Sequence, residues 1–182
     1  MNALVGIVHL IDRANDLIGR GVAWLTLVMV LITFAVVILR YVFSVGFVWM
    51  QESYVWLHGV VFMVGAGYTL LHEGHVRVDI FYRDGSPRFK AGINLFGSLA
   101  LLLPVTIMIW FVAWPYVLAS WGRFEESREA DGLPGLFVLK SVILVFCAAL
   151  GLQGVSLALR SVLVLMGRTE FARVDRAIDE ET

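Results

Sequence analysis

Only a few side chains here have types suited to chemistry, and most lie in or beside long apolar runs. Glu52, His58, Gln153 and Cys147 each raise a different possibility. Glu52 falls about one turn into an apolar segment, where a helix N-terminus favours a carboxylate by roughly 0.3–1 kcal/mol. At the centre of a bilayer the same charge would cost roughly 2.5–3.5 kcal/mol on insertion scales. An ionised interfacial acid with a structural role is therefore expected, against a salt bridge to a partner or an ion site. His58 could ligate haem, but a second axial histidine is needed. His9, His72 and His75 sit at or beyond the opposite edge of the apolar segments. Zinc would need more ligands than a lone Cys147 or the His72 and His75 pair supply. No Ser, His and Asp constellation and no phosphate-cradling Gly-Lys motif occurs, so no catalytic residue, cofactor or metal site is expected and the chain is not read as an enzyme.

The elements that carry these residues are set by four apolar runs. Residues 21–39 and 141–159 are 19 residues each without a charge, residues 53–71 contain only His58 as an ionisable group, and residues 91–122 lack Asp, Glu, Lys and Arg. A spanning helix needs about 20 such residues. The whole chain is 59% hydrophobic and 16% charged, with mean hydropathy +0.83, too apolar for water to be its only solvent. Continuous runs rather than alternation exclude a membrane barrel. The expected fold is an all-α membrane protein with four transmembrane helices, an N-terminal amphipathic surface helix and an interfacial segment between helices two and three.

Residues 1–19 form the surface helix in this reading, because Leu4, Ile7, Val8, Ile11, Ala14 and Ile18 recur at helical spacing with Asp12, Arg13, Asn15 and Asp16 largely opposite. Met1 to Leu10 lacks the basic leader and cleavage pattern of a signal peptide, so retention is expected. The membrane domain covers 20–167, with spans at about 21–42, 48–71, 91–120 and 136–160, and 168–182 is a charged tail. In the segment after helix two, Val76, Val78 and Ile80 alternate as in a strand, whereas an isolated strand would leave backbone groups unpaired, favouring an interfacial helix or turn. Asp84-Gly85-Ser86-Pro87 reads as a turn. Pro104 and Pro115 each remove a helical hydrogen bond, so a kink is expected in span three.

Four spans put both termini on one side. That side holds ten arginines and lysines (Arg13, Arg20, Arg77, Arg83, Arg88, Lys90, Arg160, Arg168, Arg173, Arg176) against four (Arg40, Arg123, Arg128, Lys140) on the other. Positive charge collects on the cytoplasmic side, so both termini are expected there. A net charge of −1 offers no global field for nucleic acid, and a single cysteine excludes an internal disulfide. Gly59, Gly65, Ala66 and Gly67 in helix two and Gly151, Gly154 and Ala158 in helix four let backbones approach closely, either within the chain or against another subunit. Gln153 is placed to hydrogen-bond another helix, an interaction of about 0.6 kcal/mol. Trp49, Trp56, Trp114 and Trp121 fit an interfacial aromatic belt.

Arg40-Tyr41-Val42-Phe43, Trp49-Met50-Gln51-Glu52, the Gly65-Ala66-Gly67 cluster and His75-Val76-Arg77-Val78-Asp79, in this order, resemble the small membrane subunit of tripartite ATP-independent periplasmic (TRAP) transporters. Gln51 departs from the acid often found there. The stretch from Glu126-Ser127-Arg128 through Gly132-Leu133-Pro134 to Leu139-Lys140-Ser141, followed by Leu152-Gln153-Gly154, resembles the branch associated with carboxylate or chloroaromatic-type substrates. The resemblance implies a non-enzymatic subunit of the bacterial inner membrane that scaffolds a large multi-span subunit for sodium-coupled uptake of an organic acid delivered by a periplasmic binding protein. Its implied partner contacts are Arg40, Trp49, Glu52, Gly65, Gly67, His75, Arg77, Asp79, Gln153 and Gly154, with Glu125, Glu126 and Arg128 facing the binding protein. The alternative is the membrane anchor of a respiratory complex.

Overall fold

No proline interrupts the first 41 residues, and helical periodicity passes through Gly19 and Gly21 without a stop signal. In the computed structural model, which describes residues 2–76, 82 and 84–172, α1 accordingly runs unbroken over Asn2–Tyr41, 40 residues. At 1.5 Å per residue it is about 60 Å long, roughly twice the hydrocarbon core of a bilayer. Residues 2–19 thus run without a break into the helix of the first span. The expected orientation of their polar side is corrected. Asp12 and Asn15 are buried, whereas Leu10 and Leu17 are 71% and 62% exposed. The reason is tertiary, because the polar residues face partners on the last helix.

The second span consists of α2 (Val48–Val64) and α3 (Ala66–Leu71), joined at Gly65, whose N–H still bonds to the Val61 carbonyl at 3.0 Å. The third begins at α4 (Pro87–Phe96). Ser86 is its N-cap, accepting from the Phe89 N–H at 3.3 Å, and Pro87 occupies the first turn, where its missing N–H costs nothing. A π-helical segment, Gly97–Leu102, then leads into α5 (Leu103–Gly122). Widening the helix just ahead of Pro104 gives room to the carbonyls that the ring would otherwise meet. Thr106 Oγ1 returns hydrogen bonds to the Leu102 and Leu103 carbonyls at 3.0 Å each. The disturbance expected at Pro104 is therefore a change of winding. Pro115 lies inside α5.

The fourth span, α6 (Leu136–Leu165), starts from Gly135, whose φ of 99° is a conformation that glycine adopts without strain. Thr169–Ala172 adds a short 3₁₀ turn. All four spans are long and apolar enough to cross a membrane, and the described residues contain no strand.

α6 is the centre of the arrangement. It packs against α1, α2, α3, α4 and α5, while α1 and α2 do not reach α5. The spans form a layer, with α1 and the α2–α3 helix on one side of α6 and α4–α5 on the other. Burial follows this order: a third (33%) of the most apolar window of α6 is buried, against none (0%) of that of α1.

Candidate functional site

α6 carries one polar cluster near each of its ends. At the end shared by the chain termini, Gln153, Ser156 and Arg160 recur at i, i+3 and i+7 and so line one face of the helix. Asp12 and Asn15, one turn apart on the antiparallel α1, meet that face. Asp12 Oδ1 accepts from Gln153 Nε2 at 3.0 Å and from Ser156 Oγ at 2.7 Å, and Arg160 donates to Asp12 Oδ2 in an ion pair. Asn15 Nδ2 donates to Gln153 Oε1 at 2.8 Å and more weakly to the Ala149 carbonyl at 3.3 Å. Gln153 therefore uses both ends of its amide. Asp12, Asn15, Gln153 and Ser156 are all buried. Burying a carboxylate is costly unless its charge is opposed and its lone pairs are used, and three donors here meet both conditions.

Close approach makes the cluster possible. A Cβ on Gly67 would lie 2.5 Å from Asn15 Oδ1 and 3.0 Å from the Ala149 carbonyl oxygen, so only glycine lets α3 come this near. One turn further along α1, Asp16 pairs with Arg20 at 2.9 Å and with His72 Nε2 at 3.1 Å. The Tyr68 and His72 rings lie 4.3 Å apart.

The opposite end holds a different device. Glu52 reaches from α2 to the loop between α5 and α6, where Oε2 accepts from the Leu133 backbone N–H at 2.6 Å and Oε1 from the Ser127 hydroxyl. The Ser127 N–H bonds back to the Leu133 carbonyl at 3.2 Å, so the carboxylate closes a loop already pinched on itself. Gly132 leaves it the space, since a Cβ there would stand 2.8 Å from Glu52 Oε2. Beside it Lys140 pairs with Glu125 at 2.5 Å and lies 4.2 Å from the centre of the Tyr116 ring. The hydrogen bond from Lys140 holds the Glu125 carboxyl below its ordinary value of 4.5. Trp121 Nε1 donates to Ser141 Oγ at 2.8 Å, and its ring meets Phe137 edge-on at 4.6 Å.

These placements sort the residues singled out in the sequence. Glu52, Gly67 and Gln153 are engaged inside the chain, and Gly154 is buried where a Cβ would come 2.7 Å from Leu102 Cδ2. Gly65 sits in the joint between α2 and α3. Arg40, Trp49, His75, Glu126 and Arg128 are exposed. Arg77 and Asp79 lie outside the described residues. His58 is exposed and stacks on Phe62 at 6.4 Å. Trp49, Trp114 and Trp121 are each about half exposed, at 46%, 44% and 44%, while Trp56 turns into an apolar groove with Leu57 and Val60. The sequence reading missed Asp12, Asn15, Ser156 and Arg160. Their signal was present as two spacings, i, i+3 on α1 and i, i+3, i+7 on α6, but Asp12 and Asn15 were assigned to a solvent-facing side and Arg160 to the end of a span.

Comparison with known proteins adds the identity of the scaffold. Residues 29–164 match the family described as tripartite ATP-independent periplasmic transporters, DctQ component. That range takes in the last third of α1 and nearly all of the other three spans, and the chain belongs to this family. It is 29% identical over 109 residues to the C4-dicarboxylate TRAP transporter small permease protein DctQ of Vibrio cholerae. The alignment covers 58% of this chain and 45% of that protein, so the chain spans about half the length of the curated relative it matches. No solved structure matches the chain. The family match contains Glu52, Ser127, Gln153 and Arg160 but begins after Asp12 and Asn15.

Proposed function

We propose that this chain is the small, non-enzymatic membrane subunit of a TRAP-type secondary transporter. It spans the bacterial inner membrane four times with both termini in the cytoplasm and holds a large multi-span transport subunit in the bilayer. The observation that carries this reading is the family match across 136 of 182 residues (29 to 164), and the architecture supports it. A layer of helices pinned at both ends of α6, with apolar outer faces on α1 and α5, suits a rigid stator. The described ionisable groups near α6 are engaged in fastening helices and a loop, whereas a self-sufficient carrier keeps such groups along a pathway.

In this mechanism the large subunit's mobile part carries an organic acid or similar solute, delivered by a periplasmic binding protein and driven by the sodium gradient. The fixed part is held by this chain. Arg40, Trp49 and His75 are exposed and remain candidates for contacts with the large subunit, joined by Arg77 and Asp79. Glu126 and Arg128, exposed on the loop at the Glu52 end, face the binding protein. Glu52, Gly67, Gln153 and Gly154 act on assembly through the shape of this chain.

Affinity purification in mild detergent followed by mass spectrometry tests the proposal. A stoichiometric large membrane protein is expected to accompany the chain, and solute uptake in reconstituted vesicles is expected to need both subunits and the binding protein. A chain that purifies alone, or transports alone, overturns it.

A further inference from the structure

One partly open cavity differs in character from the larger grooves of the protein. It lies at the terminal end of α6, between α4 and the turn after α3, and has a volume of about 50 Å³. Its walls include Arg160, Lys90, Asn94, Tyr82 and Glu73. The two larger depressions, about 420 and 430 Å³, are almost wholly apolar.

Arg160 enters this wall with its position fixed from behind, because Asp12, which does not line the cavity, takes one of its N–H groups. A guanidinium has five N–H donors. Among the described residues Asp12 is the partner it finds, and Arg160 Nε is fully buried without an acceptor. Lys90 stands 5.3 Å from the centre of the Tyr82 ring, and Asn94 Nδ2 donates to Tyr82 Oη at 2.9 Å, which fixes the ring between them. The wall is therefore rich in positioned N–H donors. Among the described residues its cations are Arg160 and Lys90 and its carboxylate is Glu73, with Asp12 paired to Arg160 from behind.

We propose that this cavity seats the phosphodiester of a membrane phospholipid, with its oxygens toward Arg160 and Lys90. A phosphodiester carries a single negative charge, the smaller load for a wall whose two cations already face Asp12 and Glu73, whereas a phosphate monoester carries about −1.5 to −2. The size agrees. A water needs roughly 10–15 Å³ of such volume, so the cavity takes a phosphate but not a whole headgroup, and the lipid's remaining parts stay outside. The cavity also sits at the ends of the spans, the level of the headgroups, where basic pockets between helices bind anionic groups.

The test uses the full chain purified in mild detergent. Native mass spectrometry is expected to find one phospholipid retained per chain, with occupancy reduced about fivefold in Lys90→Gln and restored in Lys90→Arg. After delipidation, vesicles of phosphatidylglycerol or phosphatidylethanolamine are expected to raise the melting temperature of the wild type more than vesicles of a phosphate-free glycolipid. Equal lipid retention in wild type and Lys90→Gln, with both variants folded to the same melting temperature, overturns the site. Stabilisation of the delipidated chain by inorganic phosphate to the same degree as by phospholipid overturns the lipid as the source.

Discussion

The two ends of α6 solve one problem, a carboxylate beside a membrane, by opposite means. Asp12 is met by side chains alone, from Gln153, Ser156 and Arg160. Glu52 is met by a backbone N–H, that of Leu133, and one hydroxyl. The difference lies in what each neighbourhood has to spare. Within packed helices every backbone N–H is already committed to the helix, so only side chains remain to satisfy an acid. A loop has uncommitted N–H groups, and an acid at its edge fastens the backbone directly. The first arrangement locks helix to helix. The second locks a loop to a helix and leaves it partly wet.

This comparison predicts unequal consequences. Asp12→Ala or Arg160→Ala leaves a buried charge without its partner, a loss of about 3–5 kcal/mol, so thermal unfolding in detergent should show the largest drop in melting temperature of any substitution here. The double variant Asp12→Leu with Arg160→Met removes both charges and should recover most of that loss, because an apolar pair of similar volume replaces a buried ion pair at little net cost. If the double variant is as unstable as either single one, the cluster does not work as a charge pair.

Gly67→Val should come next. Its side chain must displace Asn15 and push α3 away from α6, and overpacking of this kind costs about 1–3 kcal/mol. Crosslinking between α1 and α6 reports whether the helices separate. Glu52→Gln should have a smaller effect, about 1–3 kcal/mol at most, because the amide keeps one acceptor while losing the charge that strengthens both bonds. Its signature is local, with faster proteolysis of the loop at residues 123–135 and little change in the spans. A global loss of helicity in Glu52→Gln would erase the distinction between the two ends.

The smallest effect belongs to Glu125. Its carboxyl is held below 4.5 mainly by Lys140, so the folded pKa lies under the unfolded one. The pair's contribution is therefore fully present above the ordinary carboxylate range and is lost as pH falls through the lowered folded value. From neutral pH to about 5 the loop should keep its protease resistance, with weakening only below the ordinary range, and Lys140→Met should abolish that acid dependence.

Much of this was readable before any coordinates. The four spans followed from uncharged runs whose length matches a bilayer, a constraint imposed by the solvent and independent of packing. Gln153 was correctly expected to bond another helix, since an amide in an apolar span seeks a partner. The turn at Asp84-Gly85-Ser86-Pro87 was legible from its Gly and Pro, and its capping role appears only in the structure. By contrast, the polar residues of 1–19 were read as facing water because periodicity gives the angle between faces and not what each face meets. Gly67 was read as a packing residue without its partner, which is a side chain 52 positions away in α1, Asn15.

Amino-acid order alone determined the class of this protein and the number of its spans, because hydrophobic length admits one answer. Tertiary structure alone decided that α6 is central and that Asp12 turns inward. It also decided that Glu52 binds its own chain's loop and that Arg160 opens onto a cavity. These depend on which helix faces meet, and facing is settled by the joint satisfaction of buried polar groups across segments far apart in sequence.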